Sequence, residues 1–156
     1  MSSGEADGNL GQSQELHEYG MSRGHPPIAE KLALIDFDGT IVPWGPLMGD
    51  KTPTPGAKEA IDLLVQSGYR IGIFTSRMSR TWAESVKGRS WTAQNIFLED
   101  QWEYVKRTLD AHGIPFEFIT AEKVPAEFYI DDKAIGYRGD WTEVLRDSLV
   151  KAVEVA

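Results

Sequence analysis

The sequence predicts an α/β fold with three α/β/α layers around a mainly parallel sheet. Three observations predict it. Short apolar runs of strand length alternate with longer segments of helical periodicity. Gly and Pro mark the junctions between them. Three runs end in polar clusters, at Asp36/Asp38, Thr75/Ser76 and Asp131/Asp132. In an open parallel sheet the carboxyl edge of the strands is where ligands bind, so these clusters converge if the fold is right.

The elements follow in chain order. Residues 31–37 form the first apolar strand. Thr54-Pro55-Gly56 opens a helix, with Thr54 as N-cap and Pro55 at the first helical position. Ala57, Ala60, Ile61, Leu64 and Val65 give it an apolar face, and Gly68 ends it. Residues 69–74 are a second buried strand, followed by Thr75-Ser76-Arg77. Residues 99–112 read as a helix that Gly113-Ile114-Pro115 closes. Trp102, Tyr104 and Val105 belong to the core. Residues 116–120 and 128–130 are the third and fourth strands. Asp140-Trp141-Thr142-Glu143 has the form of a capping box for a last helix reaching about Val153.

Composition bounds the function. The chain has 156 residues, 41% of them hydrophobic, which suits one domain with a real core. Residues 1–28 are small and polar and read as a disordered tail, leaving residues 29–156 as the domain. A net charge of −8 disfavours a broad grip on nucleic acid or anionic membrane. With no cysteine, disulfides and thiolate metal sites are excluded. No apolar run is long enough to span a bilayer, and the N-terminus lacks signal-peptide order, so a cytoplasmic location is expected. The three histidines show no metal-ligand spacing.

The chemistry concentrates at Asp36-Phe37-Asp38-Gly39-Thr40. Residues i and i+2 of a strand share a face. Two acids held close at a strand end bind a divalent cation and leave a carboxylate free to attack or to move protons. Gly39 permits the bend that follows. A bare Asp-x-Asp would read as a strand-to-turn junction. The apolar strand before this pair, and Gly-Thr with two apolar residues after it, favour the chemical reading.

In this order the residues resemble the haloacid dehalogenase-like superfamily of phosphohydrolases. Its first motif is similar to residues 34–42, its second to Ile71-Gly72-Ile73-Phe74-Thr75, and its fourth to Tyr129-Ile130-Asp131-Asp132. Its third, a lysine, is best met by Lys123, with Lys106 and Arg107 as second choices. The resemblance covers about residues 31–135 and implies a Rossmann-like fold. It implies Asp36 as nucleophile, forming an aspartyl phosphate, and Asp38 as the acid that protonates the leaving oxygen and then activates water. It also implies Mg²⁺ on the Asp36 carboxylate, the Asp38 backbone carbonyl and Asp131, with Asp132 behind them. Thr75 would bond a phosphoryl oxygen and Lys123 would balance charge.

Two features depart from many relatives. Lys123 lies eight residues before Asp131, with Pro125 between them. There is no room for a substantial cap: residues 41–69 hold a turn and a helix, residues 78–95 are a modest insert, and residues 42–50 make a short flap. Capless relatives act on macromolecular phosphates or close the site by oligomerising, so a homo-oligomer is one expectation.

Gly39, Thr40, Trp44, Ser76 and Arg77 are the candidate substrate contacts. Trp44 either stacks on a substrate ring or packs the flap. Arg77 either reaches a substrate phosphate or pairs with a nearby acid. Arg80, Lys87 and Arg89, with Trp82 and Trp91, form the one basic, aromatic stretch, in which a core-facing Trp82 is favoured. The expected function is a Mg²⁺-dependent phosphomonoester hydrolase acting on a phosphorylated small molecule or nucleotide. The alternatives are a phosphatase of nucleotides or polynucleotide ends with the same chemistry, and a non-catalytic binding protein. Net charge disfavours nucleic-acid ends, and no membrane partner is expected.

Overall fold

Leu32, Ala33, Leu34 and Ile35 are almost fully buried, as a strand apolar on both faces should be in the middle of a parallel sheet. They form β1 (Leu32–Asp36). The structure, a computed structural model, describes residues 30–156. The expected tail at residues 1–28 lies outside the described residues. Four strands form one sheet in the order β3-β2-β1-β4, with β2 at Arg70–Phe74, β3 at Phe118–Thr120 and β4 at Phe128–Ile130. Every pairing is parallel. The chain therefore has an α/β fold with a four-stranded parallel sheet.

Register assigns the faces. Ala33, Ile71 and Phe128 stand together, as do Ile35, Ile73, Ile119 and Ile130. This face packs against α1 (Ala57–Gln66) through Ile61 and Leu64, and against α3 (Trp91–Ala111) through Tyr104, Val105 and Leu109. On the other face Phe118 lies over Gly72 so closely that a Cβ there would meet both its ring and Leu34.

Four helices are described. α1 starts later than the capping signal predicts. Its N-cap is Gly56, in the left-handed conformation and without a side-chain cap. Thr54 instead donates its hydroxyl to the carbonyls of Thr40 (2.7 Å) and Ile41 (3.2 Å). Those carbonyls lie in the loop after β1, so a tertiary bond wins over the local cap.

α3 starts earlier than expected, at Trp91, where Ser90 accepts from the Ala93 amide. Its first half packs on α2 (Arg80–Lys87) through Ala83, Phe97 and Leu98, with Met78 and Trp82 against them. The residue 78–95 insert is thus a small helical lobe, and Trp82 faces its interior. α4 (Trp141–Val155) is capped by Asp140, which accepts from the Thr142 amide. Among the described residues no helix is long and apolar enough to cross a membrane.

Candidate active site at the carboxyl edge of the sheet

β1 and β4 lie side by side and run the same way, so Asp36 and the Asp131/Asp132 pair leave the sheet at the same edge. Each offers one carboxylate oxygen, all within 4.8 Å of one another and all half-buried. The loop after β1 joins the two strand ends. Thr40 donates its hydroxyl toward Asp36 Oδ2 (3.3 Å) and Asp132 Oδ1 (3.4 Å) and accepts from the Asp132 amide (3.1 Å).

That loop is tight because it folds around one carbonyl. The amides of Thr40, Ile41 and Val42 point to Phe37 O at 3.3, 3.0 and 3.1 Å. Gly39 has φ +82°, and a Cβ there would strike Trp44 Nε1 and Asp132 Oδ2. Its role is therefore steric as well as conformational.

Three carboxylates so close resist ionising together. Burial pushes Asp36 up first, Asp131 adds repulsion and Asp132 a raising hydrogen bond, against a smaller lowering bond from the Phe37 backbone. The Asp36 pKa rises from 3.8 to about 7. Hard oxygen donors with this surplus of negative charge fit a divalent cation such as Mg²⁺. Asp132, expected behind the other ligands, stands in the cluster on equal terms with Asp36 and Asp131.

Asp38 has the opposite surroundings. It is 8% exposed, and Arg77, 4% exposed, grips both its oxygens, with Nε to Oδ2 at 2.6 Å and an Nη2 nitrogen to Oδ1 at 2.8 Å. Lys51 adds an ion pair to Oδ1 at 3.2 Å. Burial raises the carboxyl, but the bonds and charge of Arg77, then those of Lys51, more than reverse this, and Asp38 sits below the usual carboxylate range.

Of its two expected partners, Arg77 takes the nearby acid, in an ion pair with Asp38. Its remaining guanidinium nitrogen donates to Leu47 O (2.7 Å) and Gln101 Oε1 (2.8 Å), and the group lies 4.7 Å from the Tyr104 ring centroid. Asp38 is ionised and fully engaged, which is the reverse of a proton donor in this arrangement. Its side chain lies outside the acidic triad, in keeping with the expectation that only its backbone carbonyl would face the cation. Lys123 holds its ammonium 4.9 Å from the Tyr129 ring centroid, and no ion pair joins it to the triad among the described residues. Lys106 pairs with Asp110 on the surface of α3, and Arg107 is exposed on the same helix.

Thr75 is 1% exposed at the end of β2, and its hydroxyl accepts from the Arg77 amide (3.2 Å). Ser76, beside it, is exposed. Trp44 donates Nε1–H to Asp132 Oδ2 at 3.1 Å.

The residues missed in the sequence tie down the flap. Tyr104 Oη donates to Gly49 O (2.7 Å), and the Gln101 amide reaches Met48 Sδ (3.7 Å). His112 Nε2 lies 3.0 Å from Lys51 O; a carbonyl only accepts, so the proton belongs on Nε2. A cleft of about 540 Å³ runs between Met48–Thr52 and Tyr104–His112, but no triad residue lines it. Lys151, on α4, donates to the Asp132 carbonyl. None of these residues carries a motif; only an apolar-flanked Tyr104 and its neighbours on α3 gave a sequence signal, as core.

No family model matches the chain, and no curated protein matches it. Two solved structures align with it. A conserved protein from Bacteroides thetaiotaomicron is 22% identical at a TM-score of 0.40, over 77% of this chain and 90% of that one. A structure-determination target from Vibrio cholerae is 20% identical at 0.39, over 74% and 94%.

Proposed function

We propose that the protein is a divalent-cation-dependent phosphomonoester hydrolase of the haloacid dehalogenase-like fold, with Asp36 as the nucleophile. The observation that carries this reading is the Asp36–Asp131–Asp132 triad, closed by Thr40 at the carboxyl edge of a parallel sheet. The triad would hold Mg²⁺, which supplies charge neutralisation at the phosphoryl group and returns Asp36 to its carboxylate form.

In the first step an Asp36 oxygen attacks phosphorus in line, the ester P–O bond breaks, and the leaving oxygen takes a proton from solvent water or from a freed, protonated Asp38. In the second, water attacks the aspartyl phosphate, its P–O bond to Asp36 breaks, and phosphate leaves. Thr40 fixes the orientation of Asp36. Asp38 gains a transferable proton only after Arg77 and Lys51 release its oxygens. Leu47 belongs to the flap and Lys51 follows it directly, so lifting this segment withdraws Lys51 from Asp38, and Arg77, held just after β2, must turn away as well. Asp38 is otherwise the anchor that holds the flap down.

The test is phosphate release from a panel of phosphomonoesters with Mg²⁺, compared with EDTA and with Asp36→Asn. Release that disappears in both controls supports the reading. Absence of release from folded protein that binds Mg²⁺ transfers it to a non-catalytic binding role.

A further inference from the structure

The flap that passes the triad turns apolar side chains outward: Trp44 is 58% exposed, Leu47 44% and Met48 45%. Trp44 differs from the other two in being held at the triad itself. Its indole N–H is committed to Asp132 Oδ2 at 3.1 Å, and the missing Cβ of Gly39 leaves room for both groups. The ring thus has a fixed orientation while more than half of the residue faces solvent. Its cationic neighbour among the described residues, the Lys133 ammonium 4.4 Å from the ring centroid, is an exposed lysine that a ligand can displace.

A pre-oriented, solvent-facing indole is a stacking platform that loses little side-chain freedom on binding. Other exposed aromatics lack this placement. Trp91 is stacked against Arg80 at the start of α3, and Tyr137 pairs with Trp141. Neither pair bonds to a triad carboxylate among the described residues.

We propose that Trp44 is a specificity-determining residue, and that the site takes phosphomonoesters whose leaving group carries a planar aromatic ring. The phosphoryl group sits at the triad, the ring stacks on Trp44, and Lys133 yields the ring face and turns to the ligand's negative charge. The inference rests on the phosphoryl-transfer reading for what the site does with the ligand. The ring itself belongs either to a nucleobase, one sugar away from the phosphate, or to an aryl group bonded directly to the phosphoryl oxygen.

The experiment uses two matched pairs: adenosine 5′-monophosphate with ribose 5-phosphate, and phenyl phosphate with cyclohexyl phosphate. Affinity is measured by calorimetry with Mg²⁺ on the full-length Asp36→Asn chain, then with Trp44→Leu or Trp44→Phe added. The ring-bearing member of at least one pair binds on the order of tenfold more tightly. Trp44→Leu removes that ratio, and Trp44→Phe, which keeps a ring but loses the N–H bond that orients it, retains part of it. The pair showing the ratio identifies the kind of ring.

Equal affinity within both pairs overturns the inference, as does failure of both ring-bearing members to bind, or a ratio unchanged by Trp44→Leu. Phosphate release by wild-type protein from the same four compounds is scored separately. Release without a ring preference removes the inference and keeps the phosphatase; a Trp44-dependent ring preference without release from any compound does the reverse.

Discussion

Arg77 and Asp38 form a buried, bidentate ion pair with contacts of 2.6 and 2.8 Å, and the same guanidinium bonds the flap at Leu47 and α3 at Gln101. One side chain therefore joins the end of β1, the flap and the longest helix. Removing Asp38 leaves the Arg77 charge without a carboxylate among the described residues, beside Phe37 and Tyr104, and removing Arg77 leaves the buried Asp38 with Lys51 alone.

Arg77→Ala and Asp38→Ala are each expected to lower unfolding stability by about 3–5 kcal/mol. The double variant should cost less than the sum, with a coupling of about 1–3 kcal/mol. Urea titrations of the four proteins in the cycle measure it. Strict additivity would mean the pair contributes nothing beyond its separate side chains.

The two aspartates of the loop should pull stability in opposite directions with pH. Asp38 is depressed in the folded state, so its contribution is complete above the ordinary value of 3.8 and is lost as pH falls through its lower folded value. Asp36 is raised to about 7, so the folded state holds an extra proton between 3.8 and about 7, and stability declines as pH rises through that window. A cation at the triad removes the second effect. Mg²⁺ should raise the melting temperature more at pH 8 than at pH 5. An equal rise at both would place the bound cation elsewhere.

Gly39 and Gly68 both have positive φ, +82° and +88°, but a Cβ at Gly68 meets open space. Gly68→Ala should cost about 1–2 kcal/mol of backbone strain alone. Gly39→Ala carries that strain and also displaces Trp44 and Asp132, so it should cost more and abolish Mg²⁺ binding. Thermal melts of both variants, with and without Mg²⁺, separate the two. Equal behaviour would show that the contact at Gly39 is easily relieved.

The lysine that matters to the site should be Lys51 rather than Lys123. Lys51→Met removes a charge from Asp38 and loosens the flap, and is expected to change phosphate release at least tenfold. Lys123→Met takes a cation off an exposed tyrosine ring and should alter it less than threefold. Steady-state rates on one substrate compare them; a larger loss from Lys123→Met would restore it as the charge-balancing residue.

The sheet was readable because its signals are local: apolar runs of strand length, then carboxylates or hydroxyls. All four strands and their convergence on one edge follow from that pattern. What local patterns hid is what long-range partners decide. Thr54 carries a good cap signal yet bonds the Thr40 and Ile41 carbonyls. The start of α3 at Trp91 carried a local cap in Ser90, missed in the sequence, and its first turns then pack on α2. Lys51 directly follows a flap of Gly and Pro, where nothing in the residue order points it to Asp38. Lys123 is close to the last acidic pair in sequence, but its ammonium lies over the Tyr129 ring. Arg77 had two readings of equal weight, and only the burial of Asp38 decides between them.

Everything proposed for the site turns on whether Asp36 accepts a phosphoryl group. Acid-quenched protein, mixed with Mg²⁺ and phenyl phosphate, can be weighed intact and after proteolysis. The peptide containing Asp36 is expected to carry the added mass of one phosphoryl group, absent with EDTA and in Asp36→Asn. Phosphate release by Asp36→Asn at the wild-type rate would contradict it.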